Sequence, residues 1–113
     1  MEGKSMITES SRQRVINCLL EEQASCVIYN GGEIRVLRER GVKDLYALLK
    51  SEPEFLHGAF VADKVVGKAA ASLMILGGVD EVFATTISLP AREFLEQKGV
   101  RVDCSQEVPY IEN

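Results

Sequence analysis

Three short groups of residues carry the side chains best suited to chemistry, and the first lies in the middle of the chain. Asp63 follows a short apolar segment, and Gly67 and Lys68 precede a run of alanines. Free N–H groups at the start of a helix, together with the Lys68 ammonium, favour an anion such as a phosphate or a carboxylate. A glycine at position 67 also lets a ligand or another backbone approach closely. We therefore expect a small anionic ligand at Asp63, Gly67 and Lys68.

The first group does not complete the phosphate-binding P-loop. That motif needs a glycine five positions before its Gly-Lys pair and a Ser or Thr after it, whereas this chain has Ala62 and Ala69 there. A structural alternative also fits, in which Gly67 and the alanines let a helix pack tightly on a sheet while Lys68 reaches water. The residues alone leave both interpretations open.

The second group, Thr85, Thr86 and Ser88, stands at the end of the next β-rich segment and before a helix. In open α/β sheets, ligands bind where strands end and helices begin. If the two β-rich segments are neighbouring strands, these hydroxyls face the first group across a cleft and would hold a polar ligand. The alternative for Ser88 is a helix cap, since serine is favoured at that position.

The third group, Asp103 and Cys104 with Glu107, offers a thiol without a base, because the single histidine of the chain lies elsewhere. The other cysteines, Cys18 and Cys26, are scattered, and no Cys-x-x-Cys pattern is present. Structural zinc usually needs four Cys or His ligands at close spacing. We therefore expect free thiols, no metal and no cofactor.

Hydrophobic periodicity predicts the elements that would position these groups. An apolar stripe that starts at Val15 predicts a helix over about 9–22, and Asn30-Gly31-Gly32 between two β-rich segments predicts a hairpin. Further helices are predicted over 42–49, 64–76 and 89–98, and further strands over 58–63, 81–86 and 100–104.

This order of elements predicts the fold class. After an initial helix, a hairpin and a further helix, strands and helices alternate with short connections, which requires parallel pairing and right-handed crossovers. The first two strands pair antiparallel, so the sheet is mixed. We predict an α/β protein, a three-layer α/β/α sandwich, with one domain over residues 1–113 in which 1–8 form a loose leader.

Composition restricts the class of protein further. The chain has 113 residues, of which 46% are apolar and 27% charged, as in an ordinary globular domain. Its net charge of -4 argues against duplex nucleic acid as a partner, because proteins that bind it carry a basic surface. The densest apolar stretch falls far short of the roughly 20 residues that a membrane span needs. With no secretory signal visible, we expect a cytoplasmic protein with no membrane partner.

Over residues 63–71 the chain resembles a small bacterial family of unknown function that has the cytidine deaminase-like fold. The similarity extends over most of the chain and includes the hairpin at 29–32, the helix after Ser88 and the closing residues 108–113. The Gly-Lys-Ala-Ala-Ala stretch at 67–71 is more specific than the hairpin. The resemblance implies a deaminase-like fold, and it implies that relatives continue past Asn113 into a short tail with a Cys-Pro step.

The resemblance also implies what chemistry is lost. Active deaminases of this fold carry His-x-Glu or Cys-x-Glu at the start of one core helix and Pro-Cys-x-x-Cys at the start of the next; these motifs hold zinc and move protons. The matching stretches here read Gly-Lys-Ala-Ala at 67–70 and Thr-Thr-Ile-Ser-Leu-Pro at 85–90. By this resemblance, the zinc ligands and the catalytic glutamate are missing.

Three functions remain open from the sequence. The leading hypothesis is a domain without zinc that binds a small anionic, nucleotide-like molecule between Lys68 and the hydroxyls of Thr85, Thr86 and Ser88. The second is an enzyme in which Lys68 acts as a base or an electrophile, oriented by Asp63, in place of metal chemistry. The third is a homo-oligomeric interaction module with no small-molecule site.

Overall fold

The computed structural model describes residues 7–21, 23–39 and 41–111. Its strands are β1 (Cys26–Asn30), β2 (Glu33–Leu37), β3 (Phe60–Val66), β4 (Glu81–Ser88) and β5 (Arg101–Val108). Its helices are α1 (Glu9–Glu21), α2 (Lys43–Ser51), α3 (Pro53–Leu56), α4 (Lys68–Gly77) and α5 (Leu89–Gln97). None of the described helices is long and apolar enough to cross a membrane.

The strands form one mixed sheet in the order β2-β1-β3-β4-β5. β1 pairs antiparallel with both β2 and β3, while β3, β4 and β5 run parallel. The larger apolar core lies between one face of the sheet and helices α2 to α5, and Met74 is completely buried in it. The smaller core lies between the other face and α1, around Val15, Leu19 and Phe60. The predicted three-layer α/β/α sandwich with a mixed sheet is therefore confirmed.

The hairpin turn lies one residue later than the Asn-Gly pattern predicts. Asn30 pairs with Glu33, so the two turn residues are Gly31 and Gly32, whose φ angles are 60° and 88°. Two successive residues with positive φ are typical of the type I′ turn that suits a twisted hairpin. Asn30 ends β1 instead, and its side-chain amide donates to the carbonyl of Phe55 at 2.8 Å.

The connection between β3 and α4 lies later in the chain than the predicted helix start at Lys64. The strand continues through Val66, and α4 begins at Lys68. Val65 and Val66 are β-branched and pair with β4, so strand pairing prevails over the helical periodicity. As a consequence, Asp63 lies inside β3 rather than at its end.

The N-terminal prediction is only partly within the described residues. Of the expected leader 1–8, residues 1–6 lie outside them. Ile7 packs against the smaller core, and the Thr8 hydroxyl accepts the N–H of Ser11 at 3.1 Å. Thr8 therefore caps α1, and Ile7 and Thr8 belong to the folded structure rather than to a loose leader.

Candidate functional site

Strand pairing brings Gly67 and Lys68 of the first predicted group and Ser88 of the second to one edge of the sheet. Val66, the last residue of β3, pairs with Ile87 of β4. Gly67 and Ser88 come directly after these two residues, and α4 and α5 begin directly after them. The starts of two helices therefore lie side by side at the carboxyl edge of the parallel strands, as predicted.

The N-terminus of α4 differs from that of α5 in its capping. Gly67 occupies the cap position, and no side chain among the described residues caps the helix. The first free N–H groups of a helix together carry a partial positive charge. Gly67 has φ −98° and ψ −173°, an extended conformation that any residue adopts. The backbone conformation therefore does not explain the glycine.

Lys68 extends the positive charge of this helix start toward α5. Its side chain is exposed, and its Nζ lies 5.3 Å from the centroid of the Phe94 ring on α5. A cation over an aromatic face is held weakly at an exposed site. The ammonium is therefore accessible from solvent, and it is not enclosed in an apolar pocket.

Ser88 acts as the cap of α5. Its side chain is only 2% exposed, and its Oγ accepts the N–H of Ala91 at 3.2 Å. Pro90 supplies no N–H in the same turn. The cap and the proline account for two of the N–H groups at the start of α5. Fewer N–H groups are therefore free to bind an anion there than at the start of α4.

The two threonines of β4 have different surroundings. Thr86 is half-buried and pairs with Val65 on one side and Gln106 on the other. Thr85 is missing from the register with both neighbouring strands, and its buried Oγ1 has no hydrogen-bond partner among the residues that the structure describes. An unpaired buried hydroxyl is uncommon, because it loses water without a replacement.

Asp63 is the predicted residue whose environment is most unusual. It lies within β3, between Cys26 of β1 and Ala84 of β4. Burial raises the pKa of Asp63 to about 7, although the N–H of Val65, 3.3 Å from Oδ1, opposes this change. A carboxyl group with this pKa changes charge near neutral pH, so it is suited to proton transfer.

Cys26 lies opposite Asp63 in the sheet but is not among the site residues predicted from the sequence. It is 5% exposed, and burial, followed by the charge of Asp63, raises the pKa of its thiol well above the usual value. Such a thiol stays protonated and unreactive. Its proximity to Asp63 follows from the antiparallel pairing of β1 with β3, for which the sequence contains no local signal.

Metal binding at this edge depends on the side chains that the two helix starts present. The two helix starts present Lys68 and the cap Ser88, neither of which is a usual zinc ligand. The described residues contain no group of three or more His, Cys, Asp or Glu placed to hold a metal ion. The described thiols lie on α1, β1 and β5, apart from the two helix starts.

A small cavity lies at the opposite, amino edge of the parallel strands. Its volume is about 20 Å³, and its lining includes Ile7, Tyr29, Asp80 and Glu81. A space of this size holds about one water molecule. None of the predicted site residues lines it.

Comparison with known proteins agrees with this fold. Residues 14–113 match the family described as "TM1506: Domain of unknown function (DUF1893)". The crystal structure of a DUF1893 family protein (TM1506) from Thermotoga maritima is 25% identical, with a TM-score of 0.87 over 100% of this chain and 76% of that chain.

A more distant solved structure points to the deaminase-like fold. It is a diaminohydroxyphosphoribosylaminopyrimidine deaminase/5-amino-6-(5-phosphoribosylamino)uracil reductase, also from Thermotoga maritima. It is 14% identical, with a TM-score of 0.56 over 86% of this chain and 36% of that chain. At this identity the likeness shows the fold and no activity. No protein with curated annotation matches the chain.

Proposed function

We propose that this chain, which belongs to the DUF1893 family, binds a small anionic, nucleotide-like ligand at the start of α4 without zinc. The family is described as one of unknown function, so membership supplies no activity. The proposal therefore depends on the arrangement of the residues. A cytoplasmic location and the absence of a duplex nucleic acid partner stay predictions from composition.

The observation that carries the proposal is the uncapped start of α4 beside an available ammonium. Within the described part of the chain, no side chain caps the first N–H groups of α4, and Lys68 is exposed next to them. Helix N-termini with free N–H groups favour phosphate and carboxylate groups. The pairing of Val66 with Ile87 adds the start of α5 at the same edge, so a ligand larger than one phosphate has a second surface to contact.

The three hydroxyl groups at the end of β4 contribute to this proposal in different ways. Thr86 is half-buried near the carboxyl edge and is the best placed to contact a ligand. Ser88 accepts the N–H of Ala91, which leaves its hydroxyl hydrogen to donate. Thr85 has an unpartnered oxygen that a ligand or a water molecule would satisfy. Asp63 would repel an anion when ionised, so we expect binding to be tighter below the pKa of Asp63 than above it.

Titration calorimetry with inorganic phosphate, nucleosides and nucleoside monophosphates tests this proposal. We expect the monophosphates to bind, and Lys68→Ala to weaken them roughly 10-fold to 100-fold, because a charge-assisted hydrogen bond contributes about 1.5–3 kcal/mol. Lys98→Ala is the matched control, since Lys98 follows the far end of α5. Equal affinity of the Lys68→Ala variant and the wild type would contradict the proposal.

The second candidate function is that of an enzyme, and the environment of Asp63 supports it better than the environment of Lys68 does. Exposure of the Lys68 ammonium weakens the version in which lysine replaces metal chemistry. The pKa of Asp63 near 7 suits a general acid or base. Turnover of a nucleotide, followed by mass spectrometry, should then fall in Asp63→Asn. Turnover that depends on Lys68 and not on Asp63 would favour the lysine version instead.

A further inference from the structure

Helices α2, α4 and α5 cover the larger core side by side and form a layer whose outer side faces solvent. α4 is the middle helix, because it contacts both α2 and α5. β1 is antiparallel to both β2 and β3, so β2 and β3 run in the same direction. α2 leads from the end of β2 back toward the start of β3, as α4 leads from the end of β3 back toward the start of β4. The three helices therefore run in roughly the same direction.

The outer side of α4 is apolar although it faces solvent. Ala69 and Leu76 are exposed there, and Ser72 between them is half-buried. Leu76 is 73% exposed, more than any other large apolar side chain that the structure describes, and Tyr46 of the neighbouring α2 is 52% exposed. After Lys68, α4 contains no charged residue. A helix that is apolar on every side is usually buried on every side, so the outer side of α4 is suited to a protein partner.

The helices on either side of α4 carry opposite charges. α2 exposes Lys43 and Lys50, and its one acidic residue, Asp44, is half-buried and accepts a backbone N–H of the preceding loop at 3.0 Å. α5 exposes Glu93 and Glu96. An apolar centre with a charged rim is typical of a protein–protein contact, and this rim is basic on one side and acidic on the other.

We propose that the outer side of α4 packs against the same side of α4 in a second copy of this chain, about a two-fold axis that runs along the two helices. A two-fold contact uses the same surface on both copies. With this axis the two α4 helices are parallel, and α2 of each copy lies over α5 of the other, so a basic rim meets an acidic rim twice. Ala69, Ser72 and Leu76 also have the spacing of three and four residues with which parallel helices pack.

Charge disfavours the antiparallel arrangement of the same two faces. A two-fold axis across the helices sets α2 against α2 and α5 against α5. Lys43 then approaches Lys50 of the other copy, and Glu93 approaches Glu93. Like charges that meet across a contact oppose binding, so the axis along the helices is favoured.

The remaining charged residues of the layer leave this complementarity in place. Arg92 donates to Glu96 of its own helix at 3.2 Å, whereas Glu93 has no ion-pair partner among the described residues. Lys68 is the first residue of α4 and Lys98 follows the last residue of α5, so both lie at the ends of the face. Glu93 is therefore the carboxylate that the lysines of α2 from the second copy would meet.

The size of the face sets the strength of the contact. The three helices have nine or ten residues each. They are thus about 15 Å long and lie about 9 Å apart, which gives a face of roughly 15 by 30 Å. Two such faces bury about 900 Å² in all, at the low end of specific contacts. We therefore expect a reversible dimer that forms between micromolar and millimolar concentration.

The oligomeric state of the full chain tests the proposal. Light scattering with size-exclusion chromatography should show a monomer–dimer equilibrium over this range. Leu76→Glu places a charge at the centre of the contact and should abolish the dimer. Leu20→Glu is the matched control, because Leu20 is 57% exposed on α1, across the sheet. A monomer at every concentration, a dimer that persists in Leu76→Glu, or a dimer that Leu20→Glu also abolishes would overturn the proposal.

Charge exchange tests the direction of the axis. Lys43→Glu and Glu93→Lys should each weaken the dimer about 10-fold, and the double variant should restore it. In the antiparallel arrangement, Lys43→Glu would instead meet Lys50 and tighten the dimer. A tighter dimer in Lys43→Glu, or a double variant as weak as the single ones, would overturn the parallel contact.

Cross-linking gives a second measurement of the same contact. Parallel packing sets position 69 beside position 69 of the second copy, whereas antiparallel packing separates the two by about 10 Å along the helices. A disulfide spans Cα atoms up to about 7 Å apart. Oxidation with copper(II) phenanthroline should therefore link two copies of Ala69→Cys and leave the wild type unlinked. A dimeric Ala69→Cys variant that does not link, or a wild type that links equally, would contradict the proposal.

Discussion

Replacing Asp63 by asparagine should change how the stability of the protein depends on pH. The pKa of Asp63 is raised from its ordinary value of 3.8 to about 7, chiefly by burial. In the folded chain the carboxyl group therefore stays protonated at pH values where the unfolded chain has already released the proton. Its contribution to stability is fully present below pH 3.8 and is lost as the pH rises through about 7. Asparagine resembles the protonated acid in shape, and its Oδ1 can still accept the N–H of Val65.

The magnitude follows from the two pKa values of Asp63. Between pH 5 and pH 8, linkage predicts that the wild type loses roughly 2.5 kcal/mol of stability through this group, and Asp63→Asn loses none. Other groups contribute equally to both proteins, so their effects cancel in the difference. The buried Cys26 beside Asp63 stays protonated in this range, because its own pKa is raised.

Urea unfolding at four or five pH values from 5 to 8, followed by circular dichroism, measures this difference. We expect the free energy of unfolding of the variant to rise steadily relative to that of the wild type as the pH rises. Asp103→Asn is the control, because Asp103 is an exposed carboxylate on the edge strand. Parallel curves for Asp63→Asn and the wild type would show that Asp63 is ionised in the folded protein. They would thereby refute the reasoning from burial and remove the support for Asp63 as an acid or base.

Three further predictions concern stability and use urea unfolding at constant pH. Ser88→Ala removes the cap and leaves the buried N–H of Ala91 unpaired, so it should destabilise the protein by about 1–2 kcal/mol. Ser88→Thr should recover most of this stability. No loss in Ser88→Ala would mean that the cap is unimportant. Thr85→Val deletes the unpartnered hydroxyl and should leave stability unchanged or raise it by up to about 1 kcal/mol, whereas a loss above that would reveal a partner such as bound water. Gly77→Ala gains about 1 kcal/mol of helix propensity. Its Cβ would lie 2.8 Å from Leu56, and overpacking of this kind costs about 1–3 kcal/mol, so the net effect should be destabilising. A stabilised variant would show that Leu56 moves freely.

Local sequence signals predicted those parts of the fold that depend on residues close together in the sequence. The Asn30-Gly31-Gly32 turn was found one residue early, because asparagine and glycine both tolerate positive φ and the pattern does not say which pair forms the turn. The start of α4 was placed four residues early, because the apolar periodicity of Val65 and Val66 suits a helix as well as a buried strand. Pairing with β4, which no local pattern contains, decided that case in favour of the strand.

The site was predictable to the extent that chain direction determines it. Parallel strands end at one edge, so Gly67 and Ser88 were expected to lie together, and they do. The role of Ser88 as a cap was one of the two alternatives and is confirmed. The Cys26 neighbour of Asp63 was not predictable, because these residues are far apart in sequence and the partner of β1 is chosen by the whole sheet.

The strand order also has a consequence for synthesis on the ribosome. Each strand pairs with one that precedes it in the chain: β2 with β1, β3 with β1, β4 with β3, and β5 with β4. The sheet can therefore grow in the order in which the chain emerges, and no strand has to be inserted between two that are already paired. A nascent chain that ends before β4 would leave one edge of β3 unpaired, so newly made chains are open to strand pairing with other chains until residues 81–88 have been added.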